Sequence, residues 1–182
     1  MPRWLAFAAV LTVALAVAAV AVAKTVQDAD DTAGRIDIKS VKPSITQSGK
    51  IKFVVTFYEN VPAKGDTGNE ILEMWKHRPH ALPGVPGAFK EAPYHVLGPQ
   101  TGTRDVGKGG EAGTQFHKTG TATVSRSGKT LTFVLKPKAI GSPKDKFFWH
   151  MRSDYYGPES VCPGHPCEDH APDGSVAVKQ LL

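Results

Sequence analysis

The sequence predicts a single all-β domain, an antiparallel β-sandwich that is jelly-roll-like and has long loops. From residue 24 onward it contains 13 Val and 13 Thr but only 7 Leu, and β-branched residues favour strands. No long window keeps the apolar repeat of a helix at every third and fourth residue. Gly and Pro separate short alternating segments instead, which is typical of antiparallel strands packed in two layers.

The clearest strand runs from Lys50 to Tyr58 and follows a turn at Ser48-Gly49. Every second residue in it is apolar, so one face is expected to enter the core. The residues of that face are Ile51, Phe53, Val55 and Phe57. A strand at Ile36–Val41 is expected to pair with it across the turn.

A hairpin is predicted for Thr121–Ser125 and Thr130–Lys136, which residues 126–129 connect. Its inward residues are Ala122, Val124, Leu131, Phe133 and Leu135. Further strands are expected at Phe147–Met151, Ile71–His77, Tyr94–Gly98 and Val176–Val178. Phe53, Phe57, Phe133 and Trp149 are therefore predicted to share the core.

Two long segments between strands, Pro79–Pro93 and Pro99–Gly113, are interpreted as loops that carry binding function. The second contains Gly102-Thr-Arg-Asp-Val-Gly107-Lys108, which matches the start of a phosphate-binding Walker loop. That motif needs Ser or Thr where this chain has Gly109. We therefore predict a mobile glycine-rich loop there and no nucleotide site.

The first 23 residues are predicted to be a secretory signal peptide. Arg3 precedes an uncharged stretch from Trp4 to Ala23 that is apolar except for Thr12 and ends in the small residues Ala21-Val22-Ala23. Residues 24–182 then form the mature domain, without a transmembrane span, in a secreted or cell-wall-associated protein. The alternative is an uncleaved anchor, because a stretch of this length just spans a bilayer.

The charge balance excludes nucleic acid as the target. There are 22 Lys and Arg against 17 Asp and Glu, and the charges alternate in sign along the chain. Domains that bind nucleic acid concentrate basic residues in patches or stripes. The expected partner is instead a cell-surface or extracellular molecule of unknown identity.

Three segments carry a resemblance to known proteins. They are Asp28-Ala-Asp-Asp-Thr-Ala-Gly-Arg-Ile-Asp-Ile38, Gly128-Lys-Thr-Leu-Thr-Phe-Val-Leu-Lys-Pro137 and Phe147-Phe-Trp149. This chain resembles small exported actinobacterial-type proteins, whose sandwich is similar to the DOMON and carbohydrate-binding family 9-like group. The resemblance implies a sandwich fold and assigns no haem or sugar ligand to any residue.

The acidic segment near residue 30 is the main candidate for a metal site. Asp28, Asp30, Asp31 and Asp37 offer hard oxygen ligands, which suit Ca²⁺ outside the cell. The spacing is not that of an EF-hand, so a site needs carboxylates from elsewhere, such as Glu168, Asp169 or Asp173. The alternative is a solvated N-terminal arm with a turn at Thr32–Gly34. No other cofactor is expected.

Cys162 and Cys167 are the only cysteines, and in an exported protein such a pair is expected to form a disulfide. The segment also contains His165 and His170, so a zinc site is the alternative. His77 and His80 extend the histidine set and leave open a His-loop metal-binding protein.

No serine elbow, free thiol or paired carboxylates on rigid strands point to catalysis, so we predict a non-enzymatic binding module. Carbohydrate is one ligand class, and Trp75, Tyr94 and Tyr155 are then the candidate platforms, which must be exposed to stack on a sugar. Calcium is the other. A structural or interaction protein of the cell envelope is the alternative function.

Overall fold

The computed structural model describes residues 24–32, 37–61, 68–79, 93–97, 101–108, 115–155, 167–173 and 177–182, with the side chains of 68–70, 97 and 155 excepted. The predicted signal peptide, the segment from 80 to 92, Cys162 and His165 lie outside these residues. No helix among the described residues is long and apolar enough to cross a bilayer.

The described residues form eleven strands and one short 3₁₀ helix. The strands are β1 Val26–Gln27, β2 Ile38–Ile45, β3 Ile51–Phe57, β4 Gly68–Trp75, β5 Tyr94–Leu97, β6 Gly102–Lys108, β7 His117–Ser127, β8 Thr130–Leu135, β9 Lys146–Tyr155, β10 Cys167–Ala171 and β11 Val178–Leu181. The helix is Pro137–Ile140. The all-β prediction is confirmed. Where a strand was predicted and is present, the observed and predicted bounds differ mainly at the strand ends.

All of the strands belong to one antiparallel sheet that curls around a shared core. Its order is β1-β2-β3-β8-β7-β6-β5-β4-β9-β10, and β11 also pairs with β9. The sandwich-like form therefore comes from one curled sheet rather than two separate ones. Strands β4 to β8 are sequential neighbours, which is a meander rather than the expected jelly-roll order.

Strand β3 shows how alternation in the sequence produces the core. Its residues alternate between buried and half-buried, so one face packs inward. The Phe53 ring meets Trp149 and Phe147 edge-on, at centroid distances of 5.4 and 6.1 Å, an arrangement that aromatic quadrupoles favour. The four predicted core residues, Phe53, Phe57, Phe133 and Trp149, are fully buried.

Two glycine turns close the predicted hairpins. Gly49, between β2 and β3, has φ of 70°, and Gly128, between β7 and β8, has φ of 53°. This left-handed region is costly for residues with a Cβ. The turn residues seen in the sequence thus define where both hairpins reverse.

The glycine-rich segment Gly102–Lys108 is strand β6, and the prediction of a mobile loop there is wrong. It pairs with β7 over its whole length and with β5 at residues 106–108, so the backbone of its second half has partners on both sides. Val106 is fully buried. A Cβ at Gly107 would lie 2.4 Å from the Phe116 ring, which explains glycine in a paired strand.

We expect Phe133→Ala to lower the free energy of unfolding by about 3–5 kcal/mol, because it leaves a cavity among fully buried rings. Thr132→Ala, on the outward face of the same strand, is the matched control and should cost within about 1 kcal/mol. Chemical denaturation measures both. Equal losses would contradict the inward assignment of Phe133.

Candidate metal centre

The two ends of the curled sheet approach each other where β2 faces β10, and we call this place the seam. Strand β1 is only two residues long, and after it the Asp28 amide donates to the Lys39 carbonyl at 3.0 Å. The next free amide of the β2 edge, Ile38, donates to Oδ2 of Asp169 on β10. The Asp169 side chain thus provides the hydrogen-bond acceptor that a neighbouring strand would otherwise provide for this edge of β2.

Asp169 is anchored at both oxygens. Its Oδ1 accepts the backbone amide of His170 at 2.8 Å and the Thr32 hydroxyl at 3.4 Å, while Oδ2 accepts the Ile38 amide. Donors of this kind fix the orientation of a carboxylate and favour its charged form. Burial nevertheless raises the pKa of Asp169, and the Ile38 and His170 amides offset only part of that shift. Asp169 is therefore a carboxylate fixed in position within the seam.

Five further aspartates collect around Asp169, and we call the six the aspartate cluster. Its members are Asp28, Asp30, Asp31, Asp37, Asp169 and Asp173. Two groups of three can each place oxygen atoms within 4.8 Å of one another. The first group is Asp28, Asp169 and Asp173, and the second is Asp31, Asp37 and Asp169.

Each group contains one carboxylate that is buried without a partner. Asp37 is 2% exposed and Asp28 is 9% exposed. Within the described part of the chain, neither carboxylate accepts a hydrogen bond of ordinary geometry, although the Asp173 carboxyl lies beside Asp28, and the Asp30 carboxyl and the Thr32 amide lie beside Asp37. Since a buried polar group without a partner costs free energy, both carboxylates require a proton or a cation.

The protonation behaviour reflects this environment. Burial raises the pKa of Asp37 to about 7, and the nearby carboxylates of Asp30 and Asp169 add to the shift. Burial likewise raises the pKa of Asp28 to about 8, followed by repulsion from Asp169 and Asp173. The cluster is thus partly protonated near neutral pH when no cation balances it.

In the part of the chain that the structure describes, basic side chains do not relieve this charge. Among the described residues, no ion pair includes a member of the aspartate cluster. Tyr58, the residue after β3, contacts the cluster through its hydroxyl, which donates to the Asp28 carbonyl at 3.0 Å. Burial raises the pKa of the Tyr58 phenol, and the adjacent aspartates raise it further.

The predicted metal ligands are therefore brought together, although they come from distant parts of the sequence. Asp28 lies with Asp169 and Asp173 in the first group, and Asp31 lies with Asp37 and Asp169 in the second; binding of a metal there stays a prediction. Asp30 is exposed and belongs to neither group. The sequence named Asp37 as a candidate ligand but did not indicate its burial, which depends on the start of β2 reaching β10, and it missed β10 itself.

The donor set is suited to a hard cation. Every group member supplies carboxylate oxygen and none supplies nitrogen or sulfur, which selects Ca²⁺ or Mg²⁺ over softer ions. Calcium takes six to eight oxygens in irregular geometry, completed by carbonyls and waters. Two overlapping groups of carboxylates fit that tolerance better than the strict octahedron of Mg²⁺.

The structure describes only one of the two cysteines of the predicted disulfide. Cys167, at the start of β10, does not have a free thiol, but Cys162 lies outside the described residues. Their bridge remains a prediction.

Two of the three predicted sugar platforms, Trp75 and Tyr94, are not exposed. Trp75 is 2% exposed and packs with Phe148 and Ala177, and Tyr94 is 7% exposed within the main core. A buried ring cannot stack on a sugar, so the platform prediction is wrong for both residues. They lie in strands whose two faces are covered, which the sequence pattern did not indicate. The Tyr155 side chain lies outside the description.

The histidines do not form the predicted loop site among the described residues. His77 is exposed and His170 is half-buried, while His80 and His165 lie outside the description. His170 approaches Glu168 at 3.5 Å, a contact between neighbours on the same strand.

A buried Glu–His row lies across β5, β4 and β9, and sequence reasoning missed it. Glu73 is the register partner of both His95 and His150. His150 Nδ1 is 3.3 Å from one Glu73 oxygen, and His95 Nδ1 is 4.0 Å from the other. The imidazoles thus flank the carboxylate on opposite sides. Alternation placed His150 on the outward face, but only the tertiary structure shows that this face is buried.

Burial lowers the pKa of His150 to about 4, and the nearby Arg152 adds to this. His150 is therefore neutral at physiological pH and acts as a hydrogen-bonding partner of Glu73. The row fits a structural role within the sheet.

In comparisons with known proteins, no family model, no curated protein and no solved structure matches the chain. The resemblance to the DOMON and carbohydrate-binding family 9-like group stays a prediction from the sequence.

We predict that the protein in chelator loses stability as the pH rises from 6.5 to 8.5. The pKa values of Asp37 and Asp28 are raised in the folded state, so folding favours the protonated forms and that contribution disappears as they ionise. His150, whose folded pKa is lowered, acts below this window. The melting temperature against pH measures the effect.

The control is Asp37→Asn, which removes one of the two titrating groups while keeping the shape of the side chain. Its melting temperature should fall less steeply over the same pH range. An identical slope in the variant would show that Asp37 does not ionise there.

Proposed function

We propose that this protein is an exported, non-enzymatic β-sandwich module that binds calcium at the seam. The observation that carries the proposal is Asp37, which is 2% exposed and has no partner among the described residues for either oxygen. Its carboxylate lies in one group with Asp31 and Asp169. A dication neutralises such a group directly, whereas burial of the bare charges is costly.

The proposed ion has a structural task. The groups combine residues that follow β1 or precede β2 with residues of β10 and the segment after it. An ion held by both therefore fastens the N-terminal segment to the other end of the sheet. Binding energy of this kind adds directly to the stability of the folded state.

The extracellular environment supports calcium over other hard cations. Sites in extracellular modules have dissociation constants of about 10⁻⁴–10⁻³ M. Each group has three carboxylates, one of them exposed, which fits a calcium site of this low affinity. Because Asp28 and Asp37 hold protons near neutral pH, calcium must displace them, and acid should weaken binding.

Calcium is expected to raise the melting temperature at pH 7.5 relative to chelator. The free energy of unfolding should rise by about 2.7 kcal/mol when the free calcium concentration is a hundred times the dissociation constant. For a protein of this size, each kcal/mol raises the melting temperature by roughly 2–4 °C. Calcium-dependent thermal unfolding of the full mature chain measures it.

The double variant Asp28→Asn, Asp37→Asn removes both buried carboxylates of the cluster and should abolish this response. Without calcium at high pH it should be at least as stable as the unmodified chain, because two repulsive charges are gone. Asp105→Asn is the matched control, since Asp105 is an exposed acid paired with Lys118 at 2.7 Å. No calcium response in the unmodified protein would overturn the proposal and favour the structural envelope role.

Export also implies the disulfide between Cys162 and Cys167. Cys167 lacks a free thiol, and the chain has only one other cysteine. Alkylation without reductant, followed by mass spectrometry, should leave both residues unmodified in protein collected from the medium. Two alkylated cysteines would contradict the bridge, and a mass that includes residues 1–23 would contradict cleavage.

A further inference from the structure

Accepting the proposed function, we infer that the seam holds two calcium ions rather than one, with Asp169 as the shared ligand. The two groups of the aspartate cluster have only Asp169 in common. Each of them can bring three carboxylate oxygens within 4.8 Å of one another. The geometry therefore offers two neighbouring positions for a hard cation.

Each group is built from the same three kinds of residue. One carboxylate is buried and unpartnered, namely Asp28 in the first group and Asp37 in the second. One is exposed, Asp173 or Asp31. The third is Asp169, which backbone amides hold in place.

A single ion does not satisfy both buried carboxylates. Asp28 and Asp37 do not occur in the same group, so an ion bound by one group leaves the buried carboxylate of the other without a cation, beside another carboxyl, Asp173 for Asp28 or Asp30 for Asp37. A buried unpaired charge is among the most costly features of a protein interior. A second ion, or a retained proton, has to balance it.

The charge of the cluster is also large enough for two dications. Six carboxylates surround the seam, and no ion pair among the described residues neutralises any of them. Two calcium ions leave a small negative excess, whereas one leaves a strongly repulsive site. Sharing one carboxylate between two cations is within its capacity, because it has two oxygens and several lone pairs.

Terbium is a suitable probe for counting the ions. Like calcium, Tb³⁺ binds hard oxygen ligands, and its luminescence is excited through nearby aromatic rings. Tyr58 is close enough to serve, since its hydroxyl donates to the Asp28 carbonyl at 3.0 Å. Titration of the full mature chain with Tb³⁺, with displacement by Ca²⁺, then gives the number of ions bound per chain at saturation.

The test compares two exposed ligands, each unique to one group. Asp173→Asn should remove only the first ion and Asp31→Asn only the second, so each variant should bind one Tb³⁺ where the unmodified chain binds two. The double variant should lose binding at both positions. Both residues are exposed, so folding is expected to survive, and circular dichroism checks it.

The outcomes separate this inference from the function on which it rests. One ion in the unmodified chain would overturn the two-ion inference and leave the calcium proposal standing. No displaceable ion would overturn both. Two ions retained in both single variants would show that the two groups are not the sites, and would equally overturn the inference.

Discussion

The hydrogen bond between the Asp169 carboxylate and the Ile38 amide is the contact on which the seam depends. The edge of a sheet presents backbone groups that need partners, and β1 covers only two residues of β2. A side chain on β10 supplies the next acceptor. The sheet is thereby joined end to end by a carboxylate rather than by another strand, and this places a negative charge inside the fold.

That negative charge determines what the surrounding residues do. Asp28 and Asp37 lie where the chain enters and leaves the acidic segment, and both are buried beside Asp169. Burial raises the pKa of both carboxylates, and repulsion from neighbouring carboxylates, including Asp169, raises it further. Such an arrangement is stable only with bound protons or cations, so the stability of the fold is tied to the ionic composition of its surroundings.

Strand β9 connects this region to the rest of the sheet. It pairs with β4 along one edge, while its other edge carries β10 and β11 in succession. Inward, Trp149 and Phe147 pack on Phe53, and outward, His150 meets Glu73. The aromatic core and the buried polar row are thus two faces of one strand, which holds β10 and Asp169 in position.

The sequence alone determined the strands whose apolar residues alternate, including β3, the β7–β8 hairpin and β9. This succeeded because a strand with one buried face has a period of two that is visible locally. It also named Asp28, Asp30, Asp31 and Asp37 as possible ligands that need Glu168, Asp169 or Asp173 to complete a site, and of these Asp30 and Glu168 belong to neither group. Their residue type and their place beside the first strand were enough for that hypothesis.

Only the tertiary structure decided which faces are covered and which edges meet. Trp75, Tyr94 and Glu73 are buried because both faces of their strands are covered, a fact that no local pattern contains. Strand β6 exists because neighbours on both sides pair with its backbone, in spite of its glycines. Asp37 became a central residue because curling of the sheet brings the start of β2 to β10, and such contacts between distant segments have no signature in the sequence.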